Sequence, residues 1–420
     1  MKHQFINIVL FIGIIFIGPH LVIADNGEIA DDAGVAELLA SMTEGGAVTE
    51  QGVTISGFFD LEFNKLDTSN STMSPLISDE GTFSNSHLNV YLDSQVSSKV
   101  RFFSEVRLLH QPFTLFTEEN LASRFQGSLL IERAWVDWNY RNELNIRGGK
   151  FLTPYGIWNI EHGGPILIST RTPLLLRKQI FPEAMTGLQV YGKIFPADFQ
   201  ISYHAWIGNG KGPTSAIQDN DDHKSVGGRV AVRLPTNRKI ELGVSAYTGH
   251  VEKAELIPSE PVLANIRKVF MSEGNMPLLM KLVGNGFTAQ GEAVDGYIDR
   301  ALGFDLSFEL SNFEIQGEWV VNSVDPFKKI TPEFKELGGY GQIAYGIWTS
   351  AGKFTPFVRA GFSDPNDEFE NEIGELRIFT FGLNYKPTVG VALKTEFHLH
   401  QFDTNDRDFP MFANSLSVAF

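Results

Sequence analysis

The chain has 420 residues, with 34 Lys and Arg against 50 Asp and Glu, and it contains no cysteine. The acidic excess argues against nucleic acid as a partner, because binding to phosphates requires a basic surface. The lack of cysteine excludes disulfide bonds and thiolate metal sites. Phenylalanine, at 34 residues, outnumbers tyrosine and tryptophan together, which suits a surface that contacts an apolar medium.

The first residues have the pattern of an export signal. A lysine precedes an apolar run over residues 5–17, and Val22 and Ala24 occupy the small-residue positions of a cleavage site. The run is too short for a membrane-spanning helix. We therefore expect residues 1–24 to be a signal peptide cleaved after Ala24, and residues 25–51 to be a short N-terminal periplasmic segment.

From residue 53 onward, apolar and polar residues alternate. Within 129–140, Ala134 and Val136 fall on one face, whereas Arg133 and Asp137 fall on the other. A period of two predicts a β-strand whose faces meet different surroundings. The sequence predicts about sixteen such strands, over residues 53–64, 86–97, 100–109, 129–140, 144–151, 186–192, 199–207, 226–234, 240–248, 301–310, 313–324, 339–349, 354–362, 376–385, 389–402 and 411–420.

The connections between these strands alternate between tight turns and long polar loops, which is the wiring of an up-and-down barrel. Strands of about ten residues fit a tilted crossing of the hydrocarbon layer. Only a closed barrel can cross as strands, because open edges would leave backbone groups unpaired in lipid. We predict an all-β fold, a transmembrane antiparallel β-barrel of about 16 strands over residues 52–420. A secreted β-sandwich or β-helix is the alternative, and charge-rich faces along nearly every strand disfavour it.

The alternation stops in the third long loop, over residues 152–185, which is rich in Pro and Gly. A loop of this length inside a compact domain is usually functional. Its apolar residues, such as Ile157 and Trp158, would be poorly placed on an outer surface. We therefore expect the loop to fold into the lumen and to narrow the pore. The residues expected at this constriction are Arg171, Arg177, Lys178, Glu161 and Glu183. A surface loop with solvated charges is the alternative.

The lumenal charges sort by sign along the chain. A basic wall is predicted from Arg101, Arg107, Arg133, Arg147, Arg229 and Arg233. An acidic wall is predicted from Asp305, Glu309, Glu314 and Glu318. Such walls would produce a transverse field that influences ion selectivity. Mixed charges that merely hydrate a wide lumen are the alternative.

Motifs for catalysis are lacking, since the sequence contains neither a G-x-S-x-G elbow nor an H-E-x-x-H helix. We expect no enzyme, no cofactor and no metal site. Glu396, His398 and His400 share a strand face and could chelate a metal, but we interpret them as pore-lining groups. The acidic runs 219–222 and 364–372 could bind calcium, and solvated loops are the preferred interpretation.

Two local patterns carry a family resemblance. The block GGKFLTPYG at residues 148–156 resembles the entry to the third loop in porins of the phosphate-selective porin O and P group. The last strand alternates Phe412, Leu416, Val418 and Phe420, as in the terminal assembly signal of outer-membrane porins. The resemblance implies a homotrimer of sixteen-stranded barrels with the third loop as constriction. It also implies that Phe420 serves the outer-membrane assembly machinery.

The resemblance and the alternating pattern together predict an outer-membrane porin of a Gram-negative bacterium. Its partners would be membrane lipid, lipopolysaccharide and small hydrophilic solutes or ions that diffuse passively through a charged constriction. The alternatives are a substrate-specific uptake channel for an anion or small organic acid, and a non-transporting anchor or adhesin. The sequence has no long ladder of basic residues, so it identifies no particular solute.

Overall fold

The computed structural model is built of β-strands. It describes residues 47–48, 52–67, 81–110, 128–160, 163–173, 180–210, 222–235, 239–252, 296–327, 333–364, 375–402 and 408–420. All the regular elements in these ranges are β-strands. Over the same ranges, no helix is long and apolar enough to span a membrane.

The strands follow one another along the chain with short and long connections in alternation. Their bounds are β1 Ala47–Val48, β2 Val53–Leu66, β3 Thr82–Ser97, β4 Val100–His110, β5 Ser128–Arg141, β6 Leu144–Leu152, β7 Ala184–Ile194, β8 Gln200–Gly208, β9 Ser225–Arg233, β10 Lys239–Glu252, β11 Gly296–Leu310, β12 Phe313–Pro326, β13 Phe334–Tyr345, β14 Ile347–Thr349, β15 Gly352–Asp364, β16 Leu376–Thr388, β17 Val391–Phe402 and β18 Phe409–Ala419.

These strands close into one antiparallel barrel. Each pairs with its neighbours along the chain, and β18 returns to pair with β2 through contacts such as Val418 with Phe59. The short β14 continues β13, since both pair with β15, and the two-residue β1 only adds to β2. Sixteen strands therefore form the described wall, which confirms the predicted fold class.

The two faces of the wall differ as the alternation predicts. Large apolar side chains are exposed on the outside, for example Val136 and Val358, each 47% exposed. Inward-facing polar side chains such as Arg133 and Glu105 are fully buried. Exposed aromatic residues concentrate beside the short turns, as expected for the girdle at a membrane interface: Tyr140, Phe195, Phe199, Phe313 and Trp348. The outer surface is therefore suited to lipid.

The last residue completes the barrel closure. The Gly57 amide donates to the Phe420 carbonyl at 2.8 Å, and the Phe420 amide donates to the Gly57 carbonyl at 2.9 Å. A Cβ at position 57 would lie 2.2 Å from the Asn89 carbonyl oxygen and 2.8 Å from Cζ of Phe420. Only glycine therefore permits this close approach between the two strands and the terminal ring.

We predict that Val358→Arg destabilises the barrel in lipid vesicles by about 2–4 kcal/mol, because it places a charge near the middle of an apolar outer face. Val358 pairs with Ile343 and Phe381, both of which are also exposed and apolar. The free energy of unfolding in urea measures the effect. Val358→Leu is the matched control and should change stability little. Equal stability of the two variants would contradict the assignment of this face to lipid.

Candidate functional site

The connection between β6 and β7 spans residues 153–183, and we call it the inner loop. Its described parts, residues 153–160, 163–173 and 180–183, lie inside the barrel. Tyr155 stacks on Phe181 with ring centroids 4.3 Å apart, and Phe181 packs against Tyr247 of β10 at 6.1 Å. All three rings are buried. Burial, reinforced by the carboxylates of Glu183 and Glu318, raises the pKa of the Tyr155 phenol well above its ordinary value. The loop therefore fills part of the lumen with an uncharged aromatic cluster.

A buried carboxylate anchors the first part of the inner loop. The backbone amide of Trp158 donates to Oε1 of Glu318 at 2.9 Å, and the Tyr340 hydroxyl donates to the same oxygen at 2.7 Å. Gly156 has a φ of +58°, and a Cβ there would lie 1.9 Å from Oε2 of Glu318. The missing side chain at Gly156 thus lets the carboxylate reach the loop backbone.

A second carboxylate anchors the middle of the loop to the other side of the wall. The Ser169 hydroxyl donates to Oε2 of Glu396 at 3.1 Å, and the Thr170 amide donates to Oε1. Nearby, Nζ of Lys394 donates to the Gly164 carbonyl at 2.6 Å. Lys394 and Glu396 both lie on the inward face of β17. The inner loop therefore crosses between β12 and β17, with side chains of the wall binding its backbone.

The neighbouring strands add further contacts to the loop backbone. Nδ2 of Asn384 on β16 donates to the carbonyls of Leu167 at 3.2 Å and Ile168 at 3.0 Å. Nη2 of Arg359 on β15 donates to the Arg171 carbonyl at 2.6 Å. Each of these contacts uses a polar side chain of the wall to satisfy a backbone carbonyl that has no strand partner.

A small cavity lies between the inner loop and strands β13 and β15–β18. We call it the arginine cavity, and its principal lining residues are Arg171, Pro173, Arg359, Ile378, His398, His400 and Met411. Nε of Arg171 and Nη1 of Arg359 are both buried without a hydrogen-bond partner. Two arginine side chains thus line the same small space.

Comparison with known protein families identifies the class of channel. Residues 114–408 match the family model described as phosphate-selective porin O and P. The chain belongs to this family. This porin is therefore an outer-membrane channel for small solutes and ions, as the sequence predicts. The family and the fold indicate a channel and not an enzyme.

A relative and two solved structures are similar to this chain at low identity. A protein of Aquifex aeolicus (strain VF5), described only as uncharacterized, is 25% identical over 386 residues, which are 86% of this chain and 78% of the relative. The anion-selective porin from Comamonas acidovorans has 11% identity and a TM-score of 0.54, covering 88% of this chain and 99% of its own. The trimer form of OmpT from Vibrio cholerae has 10% identity and a TM-score of 0.53, with the same coverage. These two structures are similar to the porin in fold.

The structure describes two of the five residues predicted for the constriction. Arg171 lines the arginine cavity, and the Glu183 carbonyl accepts hydrogen bonds from the Thr153 amide at 3.0 Å and from Nδ2 of Asn159 at 2.9 Å. Glu183 therefore joins the two ends of the inner loop. The other three residues lie outside the described part of the chain: Glu161, Arg177 and Lys178.

Each of the six arginines predicted on the basic wall has a carboxylate partner. The pairs are Arg101 with Asp93, Arg107 with Glu132, Arg133 with Glu105, Arg147 with Asp137, Arg229 with Asp305, and Arg233 with Glu241. Five of the pairs join adjacent strands, and the Arg229 pair spans β10, where Gly243 leaves room for the Asp305 carboxylate. These ion pairs largely balance the positive charge of this sector.

The four predicted acidic residues have different surroundings. Asp305 pairs with Arg229, and Glu309 pairs with Lys239 at 3.2 Å. Glu314 lines a recess that also contains Lys353 and Lys386. Glu318 is the loop anchor described above. The acidic side chains thus serve ion pairing and loop attachment in addition to lining the lumen.

An aromatic stack was not foreseen from the sequence. The rings of Tyr91 and Phe103 are 5.7 Å apart, and those of Phe103 and Trp135 are 5.0 Å apart. The Arg133 guanidinium lies 5.0 Å from the Phe103 ring, and the Arg147 guanidinium lies 3.9 Å from that of Trp135. The strand alternation places these rings inward but gives no sign that they stack. This sector of the wall is therefore packed with aromatic rings and guanidinium groups.

The loop anchors were also missed, although Lys394 and Glu396 occur on the inward face of one predicted strand. Lys394, Glu396 and His398 lie at every second position of the strand and therefore share one face, which was the only indication in the sequence. It suggested a metal ligand or a pore-lining group, since nothing local in the sequence indicates that a distant loop passes over them.

We predict that Glu318→Ala releases the first part of the inner loop. The change leaves the buried donors of Trp158 and Tyr340 unsatisfied, which should lower the free energy of unfolding by about 1–3 kcal/mol. Single-channel conductance should change as well. Glu309→Ala is the control, because it removes the same charge from an exposed ion pair with Lys239. Matching stability and conductance in the two variants would rule out the anchoring role.

Proposed function

We propose that the porin conducts small hydrophilic solutes and ions by passive diffusion, and that the inner loop forms its constriction. In this proposal Arg171, Arg177 and Lys178 face the aperture and favour anions locally, with Glu161 and Glu183 flanking them. The observation that carries the proposal is the position of Arg171, on a loop segment held against the inner wall through Glu396 and Arg359.

The charge balance of the wall supports this local effect. Within the described residues, Arg171 has no carboxylate within ion-pair distance, whereas the six arginines of the predicted basic wall are all paired. Unbalanced charge in a narrow space acts more strongly on a passing ion than paired charge elsewhere. The net selectivity should be weak, because the predicted acidic wall opposes the charges of the loop.

A second candidate is a substrate-specific uptake channel for an anion or small organic acid. The specific observation in its favour is the pair of unpartnered guanidinium donors in the arginine cavity. The similar porin from Comamonas acidovorans is described as anion-selective, which is compatible with both candidates.

The assembly of the porin is part of the same proposal. We propose a homotrimer in contact with lipid and lipopolysaccharide, in line with the trimer form described for the similar OmpT. Residues 1–24 would be a signal peptide cleaved after Ala24, residues 25–51 a periplasmic segment, and residues 52–420 the barrel. Phe420 would be the signal read by the assembly machinery.

We expect the triple variant Arg171→Ser, Arg177→Ser, Lys178→Ser to shift the reversal potential in a KCl gradient toward cations and to alter conductance. Removing fixed positive charge from the constriction gives this sign, and the shift should shrink at high salt because of screening. Planar-bilayer recordings measure both quantities.

The control is Arg101→Ser, which removes a lumenal charge paired with Asp93 on a wall strand distant from the inner loop in sequence. If the triple variant matches the parent at low salt in both reversal potential and conductance, the proposed constriction is wrong.

A further inference from the structure

We propose that a basic patch on the outer face of the barrel binds phosphate groups of lipid A, the membrane-embedded part of lipopolysaccharide. The patch consists of Arg300 on β11 and Lys335 on β13, with Ser323 of β12 between them. This inference rests on the contact with lipopolysaccharide in the proposed function. It goes further by assigning the site and the chemical group that the site recognises.

The strand register brings the residues of the patch side by side. Arg300 pairs directly with Ser323, and Ser323 pairs directly with Lys335. The side chains of directly paired residues lie on the same face of a sheet. Arg300 and Lys335 are exposed, whereas Asp299 and Glu336 beside them in the sequence are buried, so this face is the outer one. Neighbouring strands are about 4.8 Å apart, which puts about 10 Å between the two basic positions, and their long side chains can converge on one phosphate group across this distance.

The patch lies at one edge of the apolar band. On each of the three strands, the outward-facing positions between the patch and the short turns carry apolar residues, aromatic residues or glycine. They are Leu302, Phe304, Leu306, Phe308 and Leu310 on β11, Val321, Trp319, Gly317, Ile315 and Phe313 on β12, and Leu337, Gly339, Gly341, Ile343 and Tyr345 on β13. Such a stretch spans about 27 Å along the strand, or about 20 Å of height at a tilt of about 40°. The apolar band of an outer-membrane barrel is about 25 Å tall, so the patch lies at the level of the lipid headgroups.

The edge that carries the patch is the one beside the long loops, which are extracellular in barrels of this type. At the other edge, the same strands carry aromatic rings on the outer face, and those of Phe313 and Tyr345 are 4.6 Å apart. On the outward-facing positions of β11, β12 and β13, the basic residues are Arg300 and Lys335. Positive charge in this sector therefore lies at the outer leaflet, where the headgroups belong to lipopolysaccharide.

The charges of the patch suit a phosphate group. Arg300 has no ion-pair partner among the described residues, and a guanidinium group binds phosphate oxygens in a bidentate manner. Asp325 pairs with Ile298 and so lies beyond Arg300 on the side away from the apolar band. Glu333 accepts a hydrogen bond from the Ser323 hydroxyl. The two basic side chains are thus the charged groups of this surface that border the hydrocarbon layer, where attraction to lipid phosphate is strong.

The surface next to the patch suits acyl chains, which favours a lipid over a free anion. Leu302, Phe304 and Trp319 are exposed, and the rings of Phe304 and Trp319 are 6.3 Å apart. Further along, Gly341 pairs with Gly317, and a Cβ at position 341 would meet no atom within 4 Å. A shallow depression therefore continues from the rings into the apolar band. Phosphate recognition and acyl contact are adjacent on this face.

The test is native mass spectrometry of the full-length folded porin in detergent, titrated with lipid A. The parent should bind lipid A saturably, and more tightly than dephosphorylated lipid A with the same acyl chains, because only the former offers phosphate to the patch. Inorganic phosphate in excess should not displace bound lipid A, since it makes none of the acyl contacts.

The double variant Arg300→Gln, Lys335→Gln should raise the Kd for lipid A about tenfold, as expected for the loss of charge-assisted hydrogen bonds. Its affinity for dephosphorylated lipid A should not change. The matched control is Lys99→Gln, Arg141→Gln, which removes the same charge beside the Tyr140 ring at the short-turn edge. The control should bind lipid A like the parent. All four substituted side chains are exposed, so both variants should assemble normally.

Equal affinity of the parent for phosphorylated and dephosphorylated lipid A would overturn the ligand class. Displacement by inorganic phosphate would show a site for free anions and would also overturn the proposal. Equal Kd values for the two double variants would overturn the site, and a changed subunit number in the Arg300→Gln, Lys335→Gln variant would make the patch a subunit contact instead. A parent that binds no lipid A at all would contradict the proposed contact with lipopolysaccharide itself, whereas conductance and reversal potential test the proposed channel independently.

Discussion

The constraint on which this structure depends is that no backbone N–H or C=O can remain unpaired in the hydrocarbon layer. The strands meet it by pairing in sequence, and the pairing of β18 with β2 removes the last free edges of the wall. Gly57 and Phe420 show how closely the closure is fitted, since their backbones exchange two hydrogen bonds where no side chain would fit at position 57. A closed wall of sixteen strands then leaves an interior too wide to be filled by its own side chains.

The inner loop occupies part of that interior, and its backbone N–H and C=O groups also need hydrogen-bond partners. Its carbonyls and amides cannot join the wall ladder, so the wall supplies side chains as partners. Glu318 and Glu396 accept from loop amides, and Lys394 donates to a loop carbonyl. Buried charges of this kind are stable only when they are hydrogen-bonded. The wall side chains supply partners for the loop backbone, and the loop backbone supplies partners for the buried charges of the wall. The position of Arg171 follows from this attachment, and in the proposed function it sets the charge that a solute meets.

Much of the barrel could be predicted because strand alternation and loop composition can be read from short stretches of sequence. The alternation of Arg133 with Val136 and the Pro and Gly content of the third loop are visible within short windows of sequence. The lumenal position of the loop followed from apolar residues such as Trp158, which has little use on an outer surface. The ion pairs could not be predicted, because they depend on strand register. Arg229 and Asp305 are 76 residues apart, and their contact also requires Gly243 on the strand between them.

Direct attachment of the inner loop to the wall is the central claim, and an engineered disulfide tests it. The chain has no cysteine, and the hydroxyls of Thr170 and Ser415 lie 2.9 Å apart, so Thr170→Cys, Ser415→Cys introduces one defined pair. Mass spectrometry of the folded porin after mild oxidation should show an intramolecular disulfide in high yield. The control pair Thr170→Cys, Val358→Cys, with one cysteine on the outer face, should remain reduced. Absence of the first disulfide in correctly folded barrels would contradict the attachment of the loop to the inner wall.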